Sequence, residues 1–62
     1  MSDIKIILLK AQVNVADRLT LVQQGQMVMI ELNGIAVDGY RWNIGAMEHA
    51  AAAFRRLANE QQ

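Results

Sequence analysis

The sequence predicts an α+β fold: a small antiparallel β-meander of three to four strands, followed by one C-terminal α-helix packed on one sheet face. Three observations carry this reading. Apolar residues before Gly45 recur with the two-residue period of strands. Asn33-Gly34, a strong short hairpin signal, sits between two such runs. After Gly45 the chain turns alanine-rich and its apolar residues recur at helical spacing.

The first strand is expected at about residues 4–9, with Ile4, Ile6 and Leu8 on one face and Ile7 and Leu9 on the other. Val13 and Val15 alternate with Gln12 and Asn14 beyond it. The strand either continues past a bulge or turns at Asn14 or Asp17. The second and third strands are expected at about 18–23 and 27–32, joined at Gln24-Gly25. That turn pairs Leu21 with Val28 and Leu19 with Ile30, which with Leu32 make one apolar face. Closing Asn33-Gly34 then sets Leu32 against Ile35, Glu31 against Ala36, Ile30 against Val37 and Met29 against Asp38. The fourth strand covers about 35–41, and Asp38-Gly39 within it marks either a bulge or an early end.

The helix is expected at about 45–59, capped by Asn43 or Gly45, with Glu48 at its positive end and Arg55 and Arg56 toward its negative end. Its main apolar stripe reads Met47, Ala51, Phe54 and Ala58, widened by Ala50 and Leu57. Ala46, Ala50, Ala53 and Leu57 form a second stripe beside it, either solvent-facing or open to close approach by another element.

A chain of 62 residues is a single small domain, 1–62. Such a domain buries only ~60% of the surface its unfolded form exposes, so its core is marginal. With no Cys and one His, neither disulfides nor a zinc site supports it, and oligomerisation remains. The predicted apolar surface also exceeds what one helix covers. A homo-oligomer, with a dimer favoured, is therefore expected.

Six basic and six acidic residues give zero net charge, which does not match the clustered basic excess of a duplex-DNA binder. The apolar run Ile6–Leu9 is shorter than a signal-peptide core, and the stretch from Ile44 to Ala58 is broken by charge. The expectation is a cytoplasmic protein without a membrane partner. No nucleophile accompanies His49 at a readable spacing, no carboxylate pair or metal set stands out, and the four glycines form no phosphate loop. The reading is of a non-enzyme without cofactor or metal.

The residues with most functional content are Arg18, Met27, Met29, Tyr40, Arg41 and Trp42, with Ala46, Ala50 and Ala53 on the helix. The expected register places Tyr40 and Trp42 on the Met27 face, close to Arg18. Tyr, Trp, Arg and Met are frequent at protein interfaces. The favoured function is a small protein-binding or inhibitor protein, acting as a homo-oligomer on a protein partner. Compact chains without motifs of this kind are typical of phages and other mobile elements. One alternative is single-stranded nucleic-acid binding through a Tyr/Trp/Arg sheet face. Another is a small anionic ligand held at a subunit interface by Arg18 or Arg41. A meander with a C-terminal helix also resembles single-strand-binding transcription cofactors, though no signature residue of theirs is matched, so the likeness is one of architecture.

Overall fold

The computed structural model describes residues 4–60; the ends of the 1–62 domain, residues 1–3 and 61–62, lie outside the described residues. Four strands, β1 (Lys5–Val13), β2 (Asp17–Gln24), β3 (Met27–Leu32) and β4 (Ile35–Arg41), precede one helix, α1 (Ala46–Glu60). The strands form one antiparallel sheet in the order β1-β2-β3-β4, and α1 packs across one face of it.

β1 is longer than the expected 4–9. It bulges at Leu8, between the pairs Ile7–Val22 and Leu9–Leu21, and runs on to Val13. The bulge reassigns its faces: Ile6, Leu9, Ala11 and Val13 share the helix side, while Lys5, Ile7, Lys10 and Gln12 stand on the outer side. The turn that follows holds Asn14 and Val15 at φ of +49° and +66°, a strained region for a β-branched residue.

The β2–β3 turn is Gly25-Gln26 rather than Gln24-Gly25. Gly25 takes the first central position with φ +59°, the place a type II′ hairpin gives to glycine. Gln24 therefore pairs with Met27, Leu21 with Ile30 and Leu19 with Leu32. The displacement from the expected pairing is two residues, which preserves parity. Leu19, Leu21, Val28, Ile30 and Leu32 still share one face.

Asn33-Gly34 closes β3–β4 as expected, with φ of +54° and +86°, both positive as a type I′ turn requires. Asn33 also ties this turn to β2: its Oδ1 accepts from Arg18 N–H at 2.9 Å, and its amide donates to Asp17 Oδ1 at 3.0 Å. Leu32–Ile35 and Glu31–Ala36 pair as expected. Val37 is then left unpaired in a bulge, and Ile30 meets Asp38. One extra residue reverses parity for the rest of β4. Val37 leaves the core face and is 52% exposed. Tyr40, opposite Val28, moves to the helix side, and Gly39 meets Met29. The Asp38-Gly39 signal thus marks an irregular strand, not its end.

The helix begins at Ala46. Asn43 is its cap: Oδ1 accepts from the N–H groups of Gly45 and Ala46, each at 3.0 Å. The buried residues of α1 are Ala46, Ala50, Ala53 and Phe54, with Met47, Ala51, Leu57 and Ala58 partly buried around the core. The helix is rotated by about one residue from the expected stripe. The physical reason is size. The sheet face already carries Val13, Leu19, Leu21, Val28 and Ile30, all 2% exposed or less. Small alanines let the helix axis approach these large side chains, and Phe54 fills the remaining space.

Candidate functional site

The sheet face opposite α1 is uncovered, and the register resolves it into rows of paired residues. Lys5, Gln24, Met27 and Arg41 form one row. Ile7, Val22, Met29 and Gly39 form the next, apolar across all four strands. Lys10, Thr20, Glu31 and Ala36 form the third, and Gln12 with Arg18 the last. Val22 in the middle is only 1% exposed although no second layer lies above it. Ile7 and Met29 flank it. Diagonally across β2, Lys5 Nζ meets Glu31 Oε2 at 3.0 Å. Gly39 leaves room at the β4 end: its missing Cβ position lies 3.7 Å from Met27 Cε and 3.8 Å from Met29 Cγ.

The charge on this face is one-sided. Four of the chain's six Lys and Arg stand on it, namely Lys5, Lys10, Arg18 and Arg41. Glu31 is its one acid among the described residues, and the bridge to Lys5 occupies it. Lys10, Arg18 and Arg41, all exposed, remain as uncompensated cations around the apolar row.

The expected site residues fall into separate places. Met27 and Met29 are on the outer face, as read from the sequence. Arg18 and Arg41 share that face but not one cluster. Arg41 is level with Met27 and Gln24, six residues along β2 from Arg18, a distance of about 20 Å. Tyr40 is on the opposite face, half-buried, because the Val37 bulge reversed its parity. Its hydroxyl donates to Asp38 Oδ2 at 2.8 Å. That hydrogen bond, reinforced by burial and the carboxylate's charge, raises the phenol above its usual range, with Arg56 acting in the opposite direction. Trp42 lies past the strand end, its N–H bonded to Gln26 O, and is 40% exposed. The Tyr40/Trp42/Arg18 set is therefore not assembled into one stacking platform. Ala46, Ala50 and Ala53 are corrected from a partner-facing stripe to the floor of this chain's own core, 6%, 0% and 5% exposed.

Sequence reasoning placed Glu31 on this face but missed Lys5, Ile7 and Lys10 as its members. The signal that places them is pairing across three strands, and the Leu8 bulge hides it from periodicity. Among the described residues no group of three or more His, Cys, Asp or Glu is placed to hold a metal, and no helix is long and apolar enough to cross a membrane. Compared with family models, curated proteins and solved structures, the chain matches none.

Proposed function

We propose that this protein is a non-catalytic binding module whose outer sheet face docks an acidic protein surface. The observation that supports it is the apolar row Ile7–Val22–Met29 flanked by Lys10, Arg18 and Arg41 with no acid left to neutralise them. An apolar centre with a charged surround is the anatomy of a protein interface. An acidic partner gains steering and specificity from the surrounding cations. The charge also argues against this face pairing with a second copy of itself, which would oppose like charges. The absence of an aromatic side chain from these rows argues against base stacking as its main use.

Four strands about 4.8 Å apart and up to nine residues long span roughly 550 Å² in projection. Covering that area from both sides buries on the order of 1,000 Å², the low end for a specific complex. The association is therefore of the transient class. Self-association belongs to the same proposal but to a different surface. The sheet is open at β1 and β4, where Ile6, Ile35 and Val37 are exposed by more than half. Homodimers joined there keep the basic face free. A cytoplasmic accessory or inhibitor protein, of the kind mobile elements encode, is the setting this reading favours.

The test uses a charge reversal. Immobilised wild type and the Lys10→Glu/Arg18→Glu variant are compared for capture from nuclease-treated host extract, with light scattering of both proteins. The expected result is an acidic partner retained by wild type and lost by the variant, while both remain dimers. Capture that survives the reversal, or that wild type shows only from extract not treated with nuclease, refutes the acidic-protein reading. A wild type that stays monomeric at high micromolar concentration refutes the edge-joined dimer.

A further inference from the structure

On the other side of β4, an open groove of about 640 Å³ runs between the end of that strand and α1. We infer that this groove binds a small organic phosphate of nucleotide size, through His49, Arg56 and the Asn43 amide over an alanine floor. The inference is independent of the acidic-partner reading.

The groove is built from both elements. Tyr40 and Asn43 line it from the strand end, and His49, Ala52 and Arg56 from the helix. His49 and Arg56 are seven residues apart, which places them on one side of α1 two turns, about 10 Å, from each other. Between them the exposed Ala52 carries no side chain beyond a methyl group, so the space over the helix stays open. A cavity of this size lies in the range that holds metabolites and cofactors.

Its polar groups are left with donors to offer. The Lys5–Glu31 bridge is the one ion pair among the described residues, so His49 and Arg56 have no carboxylate partner there. Glu60, four residues from Arg56, does not pair with it. Asp38 is not among the residues lining the groove, and each of its oxygens accepts a hydrogen bond from its own strand. Oδ1 accepts from Gly39 N–H and Oδ2 from the Tyr40 hydroxyl. Asn43 spends its Oδ1 on the helix cap, which leaves its NH2 as a donor. Arg56 lines the same groove as the strand residues Tyr40 and Asn43.

A guanidinium with an imidazole and an amide NH2 suits phosphate oxygens, which accept several charge-assisted hydrogen bonds at once. The two-turn separation of His49 and Arg56 exceeds the reach of a lone inorganic phosphate. An organic body beside the phosphate is what fills the alanine-floored length between them. This differs from the anion site expected at a subunit interface. It lies within one chain, and it uses neither Arg18 nor Arg41.

The experiment is calorimetric titration with ADP at low ionic strength. Wild type should bind saturably, more tightly than it binds pyrophosphate, and adenosine should not bind. Arg56→Ala should weaken ADP at least ~10-fold, the scale of one charge-assisted contact. His49→Gln should weaken it by less. Both positions are exposed, so the far-ultraviolet circular dichroism should be unchanged. Arg18→Glu, at the far end of the sheet, should bind as wild type does. No saturable heat with ADP overturns the proposal, as does unaltered affinity in Arg56→Ala. Pyrophosphate binding as tightly as ADP overturns it too, since the site is then a point attraction for anions.

Discussion

Ala53→Glu is a direct test of how α1 sits on the sheet. Ala53 is 5% exposed and belongs to the core cluster with Leu21, Val28, Ile30 and Phe54. A glutamate there has no cation in the core to meet. Its carboxylate must enter the apolar layer, protonate, or force the helix off the sheet. Burying an unpaired charge costs several kcal/mol even after relaxation. A domain of 62 residues has in total about 3–9 kcal/mol of stability at the usual per-residue scale. The variant is therefore expected to be largely unfolded at neutral pH. Ala52→Glu is the control: the neighbouring residue is exposed, and the cost there is only the few tenths of a kcal/mol separating Ala from Glu in helix propensity. The assay is thermal melting by circular dichroism, with light scattering for association. Ala53→Glu melting like wild type would refute the helix orientation. So would a folded Ala53→Glu monomer derived from a wild-type dimer, because that result places Ala53 at a subunit contact instead.

Phe54→Ala removes the one aromatic side chain of the helix from the core and should cost about 3–5 kcal/mol, read from the loss of a cooperative melt. Gly34→Val isolates backbone strain, because a Cβ at Gly34 meets nothing within 4 Å while φ stands at +86°. A loss of about 1–3 kcal/mol in chemical denaturation is expected, and an unchanged midpoint would remove the type I′ turn. Val15→Asn should do the reverse, stabilising by up to ~1 kcal/mol, since asparagine tolerates the φ of +66° that valine resists. Tyr40 should ionise above the ordinary phenol pKa of 10.0, chiefly through its hydrogen bond to Asp38. The fold favours the neutral phenol, so this contribution is complete below pH ~10 and fades as pH rises through the folded value. Ultraviolet titration of the phenol should move back toward the ordinary value in Asp38→Ala. Identical curves for the two proteins would exclude the Asp38 contact.

The sequence by itself determined the order and kind of the elements. Apolar alternation, the Asn33-Gly34 pair and the alanine-rich C-terminal segment are local signals, and each acts over a few residues. Even the misplaced β2–β3 turn left the faces correct, because a displacement of two residues preserves strand parity. What only the tertiary structure decided were the bulges at Leu8 and Val37. A bulge is one residue of mismatch between two strands, and it exists only once they are paired. Its consequence is large. It carried Tyr40 to the helix side, placed Ile7 on the outer face, and separated the expected aromatic and basic set. The helix rotation is non-local in the same way. Two adjacent stripes of α1 are both apolar, and periodicity cannot rank them. The large side chains already projecting from β2 and β3 choose the alanine stripe, because only small residues bring the helix close enough to exclude water from both surfaces.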